Sequence, residues 1–235
     1  VSNACASGIL AVSVAKRLIQ AGLYNHVYIL AGDEVTEFVV SGFSSFQAVS
    51  PVPCKPYDAD RAGVTLGEAA AAVLVSKEKG DIKILGDGSI NDANHISGPS
   101  RTGEGLVRSI QSALKEAKVE VDTIDFISAH GTATPFNDEM EAIAFDRLGM
   151  NKIPLNSLKG YFGHTLGASG VLESIISFES MKRGILYPSL GFENLGVSRE
   201  INVIRKKEKK DINRVLKTAS GFGGANTAVI FERVD

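Results

Sequence analysis

The chain has 235 residues, 44% apolar and 22% charged, enough for one large domain or two small ones and too apolar for a disordered tail. Its 25 basic and 27 acidic residues leave a net charge of −2, without the basic excess of a nucleic-acid binder. Lys, Glu or Gly interrupts every apolar run before the ~18 residues that a bilayer span needs, so membrane insertion is not expected. No basic stretch followed by an apolar core opens the chain, and no secretory signal is expected. Two cysteines, Cys5 and Cys54, cannot build a disulfide framework, which favours a reducing, cytoplasmic setting. The first residue is Val1 and a helix start follows almost at once, so the sequence reads as a piece of a longer chain cut upstream of Cys5.

Helices and strands alternate along the sequence. Residues 6–21 have helical composition, with Ile9, Leu10, Val12, Ala15, Leu18 and Ile19 apolar and Gly22 as a stop. Residues 27–31 form a short apolar run expected to be a buried strand, and 36–46 a short helix or turn region. Residues 68–76 are ambiguous by composition, but their Val-Leu-Val end suggests a strand leaving the core. A soft boundary near Gly80 divides the chain into 1–80 and 81–235. A strand over 82–90 precedes a helix over 103–117, where Leu106, Val107, Ile110, Ala113 and Leu114 recur at helical spacing. A strand follows at 124–129, then a helix to Leu148 capped by Asn137 or Asp138 and ended by Gly149. A strand at 153–156, a helix at 166–181 and a strand pair at 215–218 and 227–231 complete an α/β layered fold with a largely buried sheet.

The residues that carry chemistry lie at strand-to-helix junctions. Cys5 stands directly before the first helix, where unpaired N–H groups and the helix dipole favour a thiolate; the competing reading is a buried structural cysteine. His130 follows the strand at 124–129, at the end of a sheet strand where ligands gather, with Thr132 and Thr134 beside it. His164 lies between a short strand and a long helix, five residues after Lys159, and serves equally well as part of a capped helix start. The run Gly221-Phe222-Gly223-Gly224-Ala225-Asn226 allows close backbone approach to a ligand and could supply half of an oxyanion hole, or it is a simple hairpin. No phosphate-binding loop and no metal-ligand spacing such as HExxH or CxxC occurs. One Cys, two His and one Lys in a shared cleft suit acyl transfer through a thioester.

The segments Asn3-Ala4-Cys5-Ala6-Ser7-Gly8, HGTATPFND at 130–138, GHTLGASG at 163–170 and GFGGANTAVIF at 221–231 resemble the β-ketoacyl-acyl-carrier-protein synthases. These are the elongating condensing enzymes of fatty acid and polyketide synthesis. The resemblance runs through the whole chain, with four motifs in order. It implies a thiolase-like layered αβαβα fold, here incomplete: the end of the N-terminal half (1–80), carrying the nucleophile, and the whole C-terminal half (81–235), carrying both histidines. It implies Cys5 as acyl acceptor and His130 and His164 as the pair that binds malonyl thioester and promotes its decarboxylation. Lys159 matches the site lysine, Glu141 its acidic partner, Phe222 the gating residue of the oxyanion hole, and Thr132 and Thr134 the pantetheine-binding threonines. The partner implied is an acyl carrier protein, and the state a homodimer whose contact includes residues 72–76.

No organic cofactor or metal is needed for such chemistry. The family often holds a structural monovalent cation; Glu173 falls where one ligand would be, but Lys217 falls near another, and no cation is expected. Val64 stands where many members have Phe, and Leu158 where Thr is common before the lysine. The missing upstream half raises an alternative, a catalytically silent fragment or one piece of a split synthase. A thiolase is disfavoured, since no cysteine follows Cys54. The basic run Arg205-Lys206-Lys207-Glu208-Lys209-Lys210 reads as a solvated loop rather than a carrier-docking patch, Cys54 as structural, and His26 and His95 as ordinary surface or loop residues.

Overall fold

A computed structural model describes residues 1–234 of the chain. Helix α1 (Ser7–Gln20) leads to strand β1 (His26–Asp33), the short helix α2 (Glu37–Ser45) and strand β2 (Ala69–Ser76). Strand β3 (Ile82–Asn91), helix α3 (Glu104–Ala117), strand β4 (Phe126–Ser128), helix α4 (Pro135–Arg147) and strand β5 (Leu155–Asn156) follow. One helical turn, α5 (Lys159–Phe162), precedes helix α6 (Ser169–Arg183), the two-residue strands β6 (Ile185–Leu186) and β7 (Glu208–Lys209), and the closing pair β8 (Arg214–Gly221) and β9 (Ala225–Arg233).

Five strands form one sheet in the order β3-β9-β8-β4-β5. β3, β9 and β8 pair antiparallel, whereas β4 pairs parallel with both β8 and β5. Alternation along β9 explains why both faces of this sheet are covered. Ala228 and Ile230 face a core shared with Leu106 and Ile110 of α3 and Phe145 of α4. Val229 and Phe231 face the opposite core, with Ile9 and Val12 of α1 and Val171 of α6. α1 and α6 thus form a buried helical layer between the large sheet and the antiparallel pair β1–β2, whose Ile29 joins the same core. Four of the five expected layers are present in the described residues. The outer face of β1–β2 carries exposed Tyr28, Leu30 and Leu74, and β1 and β2 pair only with each other among the described residues.

α1 lies against the start of α6 with almost no side chain between. A Cβ at Gly8 would come within 2.5 Å of the Gly167 carbonyl oxygen, so only glycine permits this approach. The cap of α4 differs from expectation. Thr134 is the N-cap and Pro135 opens the helix, where its missing N–H costs nothing. Asn137 and Asp138 point inward instead: Asp138 accepts the Tyr57 N–H at 2.7 Å, and Asn137 donates to Glu141 at 3.0 Å. Burial pushes the Asp138 carboxyl up to about 7. Residues 68–76 resolve as strand β2, and the helix expected over 166–181 begins with a 3-10 turn before α6 proper.

Candidate functional site

Parallel alignment of β8, β4 and β5 brings three carboxyl ends to one edge of the large sheet. β4 leads to His130, β5 to Lys159 and His164, and β8 to Phe222. The N-terminus of α1 brings Cys5 to the same place, so close to β8 that a Cβ on Gly221 would stand 3.1 Å from the Cys5 nitrogen. Cys5, His130, His164, Thr132, Thr134 and Phe222 line one cavity of about 430 Å³. On the other side of Cys5 lies a second cavity, of about 470 Å³, reaching Ile29, Asp33 and Ala11. Phe43 and Phe222 border both cavities, their rings stacked with centroids 5.3 Å apart.

The sulfur of Cys5 receives the backbone N–H groups of Cys5 and Phe222, the two donors expected to form an oxyanion hole. The sequence left two readings of this thiol open, readily ionised at the helix start or buried, and the structure shows it buried. Burial outweighs Lys159 and the two N–H groups and pushes the thiol up to about 11. Ala4 just before it takes φ +46°, a left-handed conformation that turns the chain sharply into α1. Ser7 holds that turn by donating to the Ala4 carbonyl at 2.6 Å and accepting the Asn3 N–H at 2.7 Å.

The two imidazoles meet edge to face, with ring centroids 5.2 Å apart. His164 Nδ1 accepts the Leu166 N–H at 3.2 Å and lies 3.0 Å from the Ser169 hydroxyl. An Nδ1 that accepts leaves the proton on Nε2, which is buried without a hydrogen-bond partner in a ring that lines the cavity. His130 Nδ1 lies 3.4 Å from the Lys159 ammonium, which can only donate, so its proton also sits on Nε2. Burial first, and the nearby lysines second, hold both imidazoles well below the usual histidine range and keep them neutral.

Glu141 does not pair with Lys159, as the resemblance implied. Its carboxylate accepts the N–H groups of His130 at 2.8 Å and Gly131 at 2.7 Å and the Tyr57 hydroxyl at 2.9 Å, anchoring the His130 loop. The acidic partner of Lys159 is Glu173 of α6, at 2.7 Å. The difference is one of direction: Glu141 on α4 sits under the backbone of the loop, while Glu173 reaches the lysine from the helical layer. Lys159 also donates to the His130 carbonyl at 2.6 Å. Thr132 and Thr134 hold each other through their hydroxyls at 2.8 Å on the cavity wall.

Glu173 has a second cationic partner, Lys217, whose Nζ lies 2.6 Å from its other oxygen. The same Nζ donates to the carbonyls of Thr218, Ser128 and Ala129 at 2.9, 3.2 and 3.4 Å. A monovalent metal ion at Glu173 would have to share these oxygens with an ammonium, and with Lys217 in place the site does not fit it. The sequence marked Lys217 only as an obstacle to a cation; a lysine inside a strand buried along most of its length was the signal that it has buried partners. Phe43 was missed, because nothing in the composition of α2 places it over Cys5. Val64 and Leu158 are both buried, Val64 on the cavity wall. Cys54 is buried and bonds the Lys159 carbonyl through sulfur at 3.2 Å. His95 is exposed on the cavity mouth, bonded to Ser97, and His26 pairs at the surface with Glu78. Within the basic run, Glu208 and Lys209 are exposed in β7, and Arg205 stacks on Phe192.

Comparison with known proteins agrees with this arrangement. The N-terminal domain of the β-ketoacyl synthases matches residues 1–80, and their C-terminal domain matches residues 83–193. A 3-oxoacyl-[acyl-carrier-protein] synthase 2 of Rhizobium meliloti (strain 1021) is 35% identical across 99% of this chain and 60% of its own length. The enzyme of the same name from Staphylococcus aureus (strain COL) is 29% identical across 99% of this chain and 61% of its own. Among solved structures, a β-ketoacyl synthase from Burkholderia phymatum superposes with a TM-score of 0.95 at 32% identity, covering all of this chain and 61% of that one. The ketosynthase ApeO from Xenorhabdus doucetiae, solved with its chain length factor ApeC, gives 0.95 at 31%, covering all of this chain and 59% of that one. The chain therefore belongs to the β-ketoacyl synthase family and has its thiolase-like fold. It spans about 60% of the length of the curated relatives it matches.

Proposed function

We propose that the protein carrying this chain is a 3-oxoacyl-acyl-carrier-protein synthase, which joins an acyl group held on Cys5 to malonyl carrier protein with loss of CO2. The observation that carries this reading is the buried, unpartnered Nε2 of His164, on a ring that lines the same cavity as His130 and Cys5. A neutral imidazole whose N–H has no protein partner beside a cavity is a donor suited to a substrate oxygen.

The acyl group passes first from its carrier to Cys5. Sulfur attacks the thioester carbonyl, the carrier's thiolate leaves, and the proton of Cys5 goes to that leaving thiol. Malonyl thioester then binds with its carbonyl oxygen toward His130 and His164. Breaking the bond to its carboxylate releases CO2 and leaves the electron pair in an enolate, whose oxygen the two Nε2–H groups stabilise. The enolate carbon attacks the Cys5 thioester carbonyl, and the resulting oxyanion takes the N–H groups of Cys5 and Phe222. Collapse breaks the C–S bond, yields 3-oxoacyl carrier protein and returns the sulfur as thiolate. In this scheme Lys159 fixes the tautomer of His130, Glu141 fixes its backbone, and Thr132 and Thr134 bind the pantetheine arm. Phe222, stacked on Phe43, separates the acyl cavity from the pantetheine cavity.

The partner proposed is an acyl carrier protein, as in the hexaketide-bound ketosynthase solved with its carrier, and the state a homodimer. The two unpaired cysteines favour a cytoplasmic setting. The deciding experiment incubates the protein as encoded, with any residues that precede Val1, with acyl carrier protein thioester and weighs the Cys5 peptide. An acyl adduct absent from Cys5→Ala is expected; an unmodified Cys5 would overturn the assignment.

A further inference from the structure

Lys217 has no counterpart in the scheme above, yet its ammonium is coordinated by four oxygens in the interior. It is fully buried in the middle of β8. Four oxygens surround its Nζ: one from Glu173 and the carbonyls of Ser128, Ala129 and Thr218. Carbonyl oxygens together with a carboxylate are the hard donor set that holds an alkali-metal ion. Four acceptors leave no donor for an amine lone pair, so the nitrogen belongs there as an ammonium.

The charges close around this arrangement. Lys159 and Lys217 face Glu173, and Thr218 beside Lys217 donates to Glu141 at 3.3 Å. Two buried ammonium groups thus stand against two buried carboxylates. Removing one cation strands a negative charge, which is far more costly than the intact set. The geometry also leads to the chemistry. Ser128 and Ala129 are the residues immediately before His130, so Lys217 pins the strand end from which His130 projects. Through Glu173 it also holds Lys159, which donates to the His130 carbonyl and lies against its Nδ1.

We propose that the Lys217 ammonium is a built-in monovalent cation, a positioning group that holds the His130 strand end and the Glu173–Lys159 pair and makes the centre independent of added sodium or potassium. Its effect on rate rests on the condensing activity proposed above; its effect on cation dependence of stability does not.

The test uses the protein as encoded, compared with Lys217→Ser, which opens the space, and Lys217→Met, which fills it without charge. Each is dialysed into choline chloride and titrated with potassium or ammonium ion, following condensation rate and melting temperature. The unaltered protein should show neither rate nor melting response to the cation. Lys217→Ser in choline should lose about 100-fold in rate, the scale of an ångström-sized misplacement of a reacting group. It should recover saturably with potassium or ammonium, its melting temperature rising over the same concentration range. Lys217→Met should stay impaired in every salt. A potassium requirement in the unaltered protein overturns the proposal. So does a Lys217→Ser protein that is fully active in choline, or one that no cation improves, including one that stays unfolded in all of them. If the unaltered protein fails to condense in any salt, the condensing assignment falls and the melting titrations alone decide the role of Lys217.

Discussion

The Cys5 thiol offers a measurement that needs no substrate. Its pKa is pushed up to about 11 from an ordinary 9.0, because the sulfur is buried and Lys159 with the N–H groups of Phe222 and Cys5 recover only part of that cost. Two units correspond to roughly 3 kcal/mol against the thiolate, so at pH 7 about one sulfur in ten thousand is ionised rather than one in a hundred. Alkylation by iodoacetamide, followed by the mass of the Cys5 peptide, reads this directly, since only the thiolate reacts. Burial lowers the absolute rate, but the slope of log rate against pH does not depend on access. The rate should climb about tenfold per pH unit from 7 to 10 without levelling. Lys159→Met should slow it further at every pH in that range, because the lysine is the largest influence favouring the charged form. A plateau at or below pH 8 would refute the reasoning and mean that Lys159 and the two N–H groups overcome burial. On the proposed reaction the thiol would not be stored as an anion, and its proton would leave only as an acyl thioester arrives.

Gly8→Ala should lower stability by about 1–3 kcal/mol, the usual cost of overpacking, measured by urea melts, because the new Cβ meets the Gly167 carbonyl oxygen at 2.5 Å. A neutral outcome would mean that α1 and α6 slide apart freely. Acid should destabilise the fold through the histidines. Both imidazoles titrate well below 6.5 when folded and near 6.5 when unfolded, so below 6.5 the unfolded chain binds protons that the folded one refuses. Their contribution is complete above pH 6.5 and is lost as pH falls, at on the order of 1 kcal/mol per pH unit for each. Urea melts between pH 7.5 and 5 should show a shallower pH slope in His164→Gln, and an unchanged slope would contradict this.

Much of this architecture could be read before any coordinates, since period and punctuation are local. The strands at 82–90, 215–218 and 227–231 and the helix at 103–117 all appear within a few residues of expectation. The convergence of Cys5, His130 and His164 followed from placing each at a strand-to-helix junction, and Phe222 joins them from the Gly-rich turn between β8 and β9. What escaped depended on distance through space. Spacing in the sequence pairs Lys159 with neither Glu141 nor Glu173; the orientation of α4 and α6 decides it. The cap at Thr134 was masked by Asn137 and Asp138, better capping residues by type that are needed inside the fold. The choice between an ionised and a buried thiol stayed open in the sequence because a helix terminus can be recognised there, whereas the burial of its sulfur needs the fold.

The nearness of Gly221 to Cys5 also bears on how the molecule is born. Cys5 emerges from the ribosome more than two hundred residues ahead of Phe222, which supplies the other N–H at its sulfur. Between these events the sulfur lies on a growing chain with neither its second backbone donor nor its histidines in place. Contacts of such long sequence separation form late in folding. Synthesis order therefore acts as a safety catch: the sulfur gains its second backbone donor only after β8 has been made, long after Cys5 itself.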